Sequence, residues 1–90
     1  MDISFDPAKR AANLIKHGLD FADAGRVFAG QLAEIEDMRR DYGESRFVTA
    51  GMVDERLVVV VWTLRDSSRR IISMRFAYER EAVFWRSADG

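Results

Sequence analysis

The stretch "KRAANLIKHG", residues 9–18, sets two lysines, an asparagine and the chain's only histidine at helical spacing. At about 100° per residue, Lys9, Asn13, Lys16 and His17 fall within an arc of roughly 100°. Histidine is the side chain whose ordinary pKa, ~6.5, suits proton exchange near neutrality, and ammonium groups beside it would hold an anion such as a phosphate. A plainer reading stands next to that one. Polar residues ordinarily cover the wet side of a helix, and Lys16 and His17 in the last turn favourably oppose the helix dipole. With one histidine, no cysteine and no ligand spacing among the acidic residues, the expectation is a site with no metal and no cofactor.

Two arginines extend the set. Arg65 ends a long apolar run and Arg75 lies two residues beyond Ser73. If odd residues of the two strands share a face, Arg65 and Arg75 project from one sheet surface with Thr63 and Ser73, where they could clamp an anion. The alternative is that Arg75 pairs with Glu79 or Glu81, a surface ion pair of small energetic weight. Residues 39–46, "RRDYGESR", read as a charged turn. There Tyr42 could stack on a base and Glu44 could accept a proton, or the segment is a solvated loop with an internal Arg–Glu pair.

These side chains need a scaffold, and the apolar periodicity supplies one. "MDISF" alternates as a short strand ending at Asp6-Pro7, a helix cap followed by a first-turn proline. A helix over 7–17 follows, with Ala8, Ala11, Ala12, Leu14 and Ile15 as its apolar face and Gly18 as its stop. Asp20 caps a second helix over about 20–29, in which Phe21, Ala24, Val27 and Phe28 recur at helical spacing. Strands are expected over 32–38, 45–53, 55–65 and 69–77, turning at Asp54-Glu55 and at Asp66-Ser67-Ser68. The run Leu57–Leu64 marks a central strand covered on both faces, at least in its middle. A helix over about 78–86 closes the chain, with Tyr78, Ala82 and Trp85 on one stripe. The order β-α-α-β-β-β-β-α predicts an α+β fold, a small antiparallel meander with helices on one side.

Composition narrows the function classes. Ninety residues predict a single domain able to close a modest core, and the absence of cysteine excludes disulfides, thiol catalysis and zinc-thiolate sites. The N-terminus shows no basic segment followed by an apolar run, and Leu57–Leu64 is too short to span a bilayer, so a cytoplasmic protein without a membrane role is expected. The net charge of −1 argues against nucleic-acid binding, yet the signs are segregated. Residues 19–55 carry four basic groups against nine acidic, and residues 56–86 seven against three. Twelve of the fourteen basic residues are arginine, the fork suited to phosphate or carboxylate.

In the order "FDPAKRAANLIKHGLDFADAGRVF", "DYGESRFVTAG", "VVVVWTLR" and "RRIISMRFAYERE", the chain resembles the BrnT family of small bacterial toxins over nearly its whole length. The spaced combination K-x-x-x-N-x-x-K-H-G with R-I-I-S-x-R carries the resemblance. Phe5 stands where a tryptophan is common, and Met74 where an alanine is common; neither change touches a polar side chain. The resemblance implies a RelE-like fold and a metal-independent ribonuclease, the toxin of a type II toxin–antitoxin pair. It further implies a BrnA-like antitoxin with a ribbon-helix-helix part, through which the complex would bind operator DNA. On that reading Lys16 and His17 move protons and stabilise charge, Arg65 and Arg75 clamp the phosphate, and Lys9 and Asn13 position the RNA backbone, with Tyr42 and Ser73 as further RNA contacts. The competing expectation is a non-enzymatic binding module or corepressor that docks a DNA-binding partner, its acidic residues 34–44 meeting a basic surface.

Overall fold

Two tight turns organise the sheet. Asp54 and Glu55, and again Asp66 and Ser67, have positive φ (49°, 66°, 51° and 65°), the left-handed pair of a type I′ hairpin whose twist matches that of the strands it joins. They link β3 (Arg46–Val53), β4 (Arg56–Arg65) and β5 (Ser68–Phe76) into an antiparallel meander. β2 (Gln31–Glu36) adds antiparallel to β3, and β1 (Asp2–Ser4) pairs in parallel with the start of β5, Ser4 opposite Arg70. The order is β1-β5-β4-β3-β2. The expected α+β architecture is therefore present, but the N-terminal strand joins the meander and makes the sheet five-stranded and mixed. The computed structural model from which this is read describes residues 1–38, 41 and 43–89, the side chain of Asp89 apart.

The first helix, α1 (Pro7–His17), has the bounds expected from its caps. The Asp6 carboxylate accepts the Ala8 N–H at 2.8 Å, Pro7 occupies the first turn, and Gly18 at φ 70° donates its N–H to the Leu14 carbonyl. The expected second helix divides into a 3-10 turn, Phe21–Asp23, and α2, Ala24–Ala29. The last helix, α3, spans Glu79–Asp89. No helix among the described residues is long and apolar enough to cross a membrane.

The two faces of β4 are covered by different elements. Val58, Val60 and Trp62 meet Phe21, Ala24, Val27, Ile71 and Met74, whereas Leu57 and Val59 meet Ala50 and Trp85 from the opposite side. Helices on one side only was therefore the wrong expectation: α3 packs on the face turned away from α2, burying Trp85 to 2% exposure. The reason lies in the apolar run, which places side chains on both faces and demands a cover for each. Leu64, 56% exposed, marks where that double cover stops. On the odd-numbered face of β4, α3 covers Leu57 and Val59, while Arg65, half exposed, lies beyond that cover near the Asp66–Ser67 turn.

α2 abuts the main chain of β3. A Cβ on Gly51 would lie 2.1 Å from the Val27 carbonyl oxygen, and one on Gly30 would lie 2.4 Å from that of Met52. Gly51→Ala is expected to lower stability by about 1–3 kcal/mol, read as a lower urea midpoint, because backbone on both sides of the contact must move. An unchanged midpoint would refute this close approach.

Candidate functional site

β1 pairs only with residues 68–70 of β5, which leaves the outer edge of β5 beyond Arg70 without a strand among the described residues. α1 lies along that edge. The Asn13 side-chain amide donates to the Met74 carbonyl at 3.0 Å, and its oxygen accepts the Met74 N–H at 3.2 Å. One side chain thereby supplies the donor and acceptor that a sixth strand would have offered. The second amide hydrogen reaches the Leu19 carbonyl at 3.0 Å, tying in the chain just past the helix stop. Arg10, bidentate to Asp20 at 2.7 and 2.9 Å, holds the same corner and pulls the Asp20 pKa down to about 2.

The helix is consequently turned over relative to the sequence expectation. Asn13, expected on the wet stripe as an RNA contact, is 8% exposed and serves the fold, while Leu14 and Ile15 of the expected buried face are 46% and 88% exposed. Leaving two buried main-chain groups unpaired would cost about 1–3 kcal/mol each, comparable to what burying Leu14 and Ile15 would gain, and the observed rotation satisfies the polar pair. The same rotation brings the neighbours of Asn13 to the seam between α1 and β5. Lys9, Ala12, Asn13, Lys16, His17, Ile72 and Ser73 line an open cleft of about 240 Å³ there.

A second depression, of about 230 Å³, adjoins it and shares Lys9 and Ile72. Its other lining residues are Asp6, Glu44, Arg46, Arg65, Arg70 and Ile71. Strand register explains the basic cluster: Arg46 and Arg70 flank Thr63 across three strands, and Arg65 is two residues further along β4 on the same face. Glu44 lies between cations, one oxygen accepting from the Arg65 guanidinium at 3.1 Å and the other 3.5 Å from Arg46. Arg46 and Arg70 were missed in the sequence, although the turns contain the signal. Counting outward from two-residue turns at 54–55 and 66–67 aligns 46 with 63 and 63 with 70; a three-residue reading of the second turn hides that row.

Arg65 and Arg75 do share a face, through a compensation the sequence did not announce. The two-residue turn sets odd residues of β4 against even residues of β5, and a bulge between Val61 and Trp62 then shifts the pairing by one, so that Ser73 faces Val61 and Arg75 faces Val59. Six residues of β4 separate the rows of the two arginines, roughly 20 Å at strand rise. They do not form one clamp. Arg75 is bidentate to Glu81 on α3 at 2.7 and 2.8 Å and lies 4.9 Å from the Tyr78 ring centre. It lines a different, largely apolar pocket of about 280 Å³ with Val61, Phe84 and Trp85. Arg75 thus holds Glu81 below the ordinary carboxylate range. Tyr42 lies outside the described residues.

The assembled surface carries Lys9, Lys16, His17, Arg46, Arg65 and Arg70 against Asp6 and Glu44, a cationic groove on a chain of net charge −1. It offers an imidazole and ammonium groups for proton transfer and charge stabilisation, with a hydroxyl and guanidinium forks for an anion. Among the described residues no three His, Asp or Glu side chains gather as metal ligands. Residues 5–81 match the family model described as ribonuclease toxin, BrnT, of type II toxin–antitoxin system. No curated protein matches the chain.

Two outcomes are expected from this geometry. Asn13→Leu should lower unfolding free energy by about 3 kcal/mol, since it strands the Met74 N–H and carbonyl, yet leave RNA affinity of the folded protein nearly unchanged; lost affinity without lost stability would return Asn13 to the binding surface. The depressed Glu81 pKa contributes stability above its unfolded value near 4.5 and loses it as pH falls through the lower folded value. Glu81→Gln should therefore be less stable than the parent at pH 7, by about 1 kcal/mol for a partly solvated pair, with the gap closing below pH ~4.5. A gap that persists at pH 2 would show that the pair contributes nothing through its charge.

Proposed function

From the premise that the chain belongs to the BrnT family, ribonuclease toxins of type II toxin–antitoxin systems, we propose that it is a metal-independent endoribonuclease whose site is the seam between α1 and β5. The observation that carries the reading is the gathering of Lys9, Lys16, His17 and Ser73 in one cleft that opens into the arginine-lined depression. In metal-free RNA cleavage the ribose 2′-hydroxyl loses its proton and attacks the adjacent phosphorus. The bond to the 5′-oxygen breaks, that oxygen takes up a proton, and a 2′,3′-cyclic phosphate remains. His17 is the proton-transfer group, because both oxygens of Glu44 are already directed to Arg65 and Arg46. The Lys16 ammonium stabilises the charge that develops on the phosphoryl oxygens, Arg65 contacts the phosphate from the neighbouring depression, and Lys9 and Ser73 position the backbone.

Arg75 takes the far end of the same sheet face. Its bidentate hold on the Glu81 carboxylate is the fork geometry in which it would hold a phosphate after exchange. Tyr42 is assigned base stacking. The partner is a BrnA-like ribbon-helix-helix antitoxin that silences the enzyme and carries the complex to operator DNA, and the setting is the cytoplasm.

The purified protein should cut RNA in the presence of EDTA and leave 2′,3′-cyclic phosphate ends. His17→Ala should lower the rate by about 10²–10⁴, and a substrate with 2′-deoxyribose at the scissile position should bind without being cut. Full activity in the His17 variant would remove the site assignment, and a requirement for added divalent metal would remove the mechanism. RNA that is bound but never cleaved would favour the binding-module reading.

A further inference from the structure

We propose that Arg46 and Arg70, with Arg65 shared between them and the scissile phosphate, form a second phosphate subsite, which grips the RNA phosphodiester next to the scissile one and which Glu44 fills as an internal anion until RNA displaces it. This rests on the RNA-cleavage reading above and adds to it a requirement for at least two phosphates.

The subsite is built by the sheet and does not depend on chance surface side chains. Arg46, Thr63 and Arg70 stand in one row across β3, β4 and β5, so their spacing is set by strand separation, about 5 Å per step. Thr63 is buried, and its hydroxyl donates to the Ser45 carbonyl at 2.7 Å, which fixes the segment immediately after Glu44. Arg65 enters from the turn end, where the Ser68 hydroxyl donates to its carbonyl at 2.8 Å. The neighbouring Arg69 points to the other face, 3.9 Å from the Phe28 ring centre, and takes no part.

The charge balance inside the depression is unfinished. Among the described residues that line it, four cations, Lys9, Arg46, Arg65 and Arg70, face two carboxylates. One of these, Asp6, already caps α1 through the Ala8 N–H. The Arg70 side chain makes no hydrogen bond or ion pair among the described residues. Glu44 offers two oxygens, and its contacts at 3.1 and 3.5 Å are longer than the 2.7 Å of Arg10–Asp20 and of Arg75–Glu81. A phosphodiester, with two charged oxygens and two bridging ones, satisfies the same forks and can reach Arg70 as well. Lys9 and Ile72, common to both hollows, make the subsite continuous with the cleft that holds His17. A single RNA strand can therefore lie in both.

The test uses 2′-deoxy oligonucleotides of two and three nucleotides without terminal phosphates, which present one and two phosphodiesters and cannot be cleaved. The trimer should bind the full-length protein about tenfold more tightly than the dimer, the effect of one additional charge-assisted contact. Arg70→Gln should abolish that gain, leave dimer affinity within twofold and reduce the salt slope of trimer binding by about 0.7. Glu44→Gln should strengthen trimer binding about threefold by removing the competing anion. Equal affinity of the parent protein for dimer and trimer would overturn the subsite, as would equal losses for both oligonucleotides in Arg70→Gln or weaker trimer binding in Glu44→Gln. Cleavage of RNA is measured alongside: its absence would defeat the enzymatic reading, whereas a dimer-to-trimer gain that survives in Arg70→Gln defeats the subsite alone.

Discussion

The open edge of β5 is the constraint from which the rest follows. The outer edge of β5 beyond Arg70, left without a strand neighbour among the described residues, would leave main-chain donors and acceptors facing either water or an aggregation partner. Asn13 closes it by giving Met74 both a donor and an acceptor from one amide, and α1 must lie where that amide can reach. Because a helix is rigid over its 11 residues, fixing Asn13 also fixes Lys9 four residues before it and Lys16 and His17 just after. The cleft exists because the clamp exists. That ordering also explains why α1 shows Leu14 and Ile15 to the outside, a pattern that hydrophobic periodicity alone reads backwards.

A second consequence concerns charge. The chain as a whole is slightly acidic, and an average of that kind says little about a local field, which is set by whichever charges lie within a Debye length of one another. Two hairpins draw Arg46, Arg65 and Arg70 from three strands to one place, and α1 adds Lys9. Four other arginines are committed elsewhere: Arg10 to Asp20, Arg26 to Asp54, Arg69 to the rings of Phe28 and Trp62, and Arg75 to Glu81. Membership of the BrnT family and the cationic groove are therefore consistent with each other without being the same observation. The family match speaks to descent, and the groove speaks to what this particular set of side chains can hold.

Legibility followed the range of the physics. Local interactions decide caps, stops and turns, so α1 could be bounded from Asp6, Pro7 and Gly18, the central strand could be seen in Leu57–Leu64, and the hairpins could be placed at Asp54-Glu55 and near Asp66-Ser67. The α+β class followed from those elements. The groups of the candidate site were visible for the same reason, since histidine, lysine and arginine are defined by their own chemistry. Register was less accessible. One residue more or less in the Asp66–Ser67 turn, and one bulge residue in β5, each flip which side chains share a face; the two effects cancel for Ser73 and Arg75, whereas Arg70, between turn and bulge, is placed by the turn alone and falls in the row of Arg46 and Thr63.

By itself, then, the sequence determined the elements, their order, the absence of thiol chemistry and the inventory of groups able to move a proton or hold an anion, because each of these depends on residues within a few positions of one another. Only the tertiary structure decided which side of α1 is buried, that α3 covers the second face of β4, that Arg75 is engaged by Glu81, and that Arg46 and Arg70 join Arg65. Those outcomes depend on pairing partners such as Asn13 and Met74, distant along the chain, whose buried polar groups must be satisfied together. No periodicity within one segment contains that requirement.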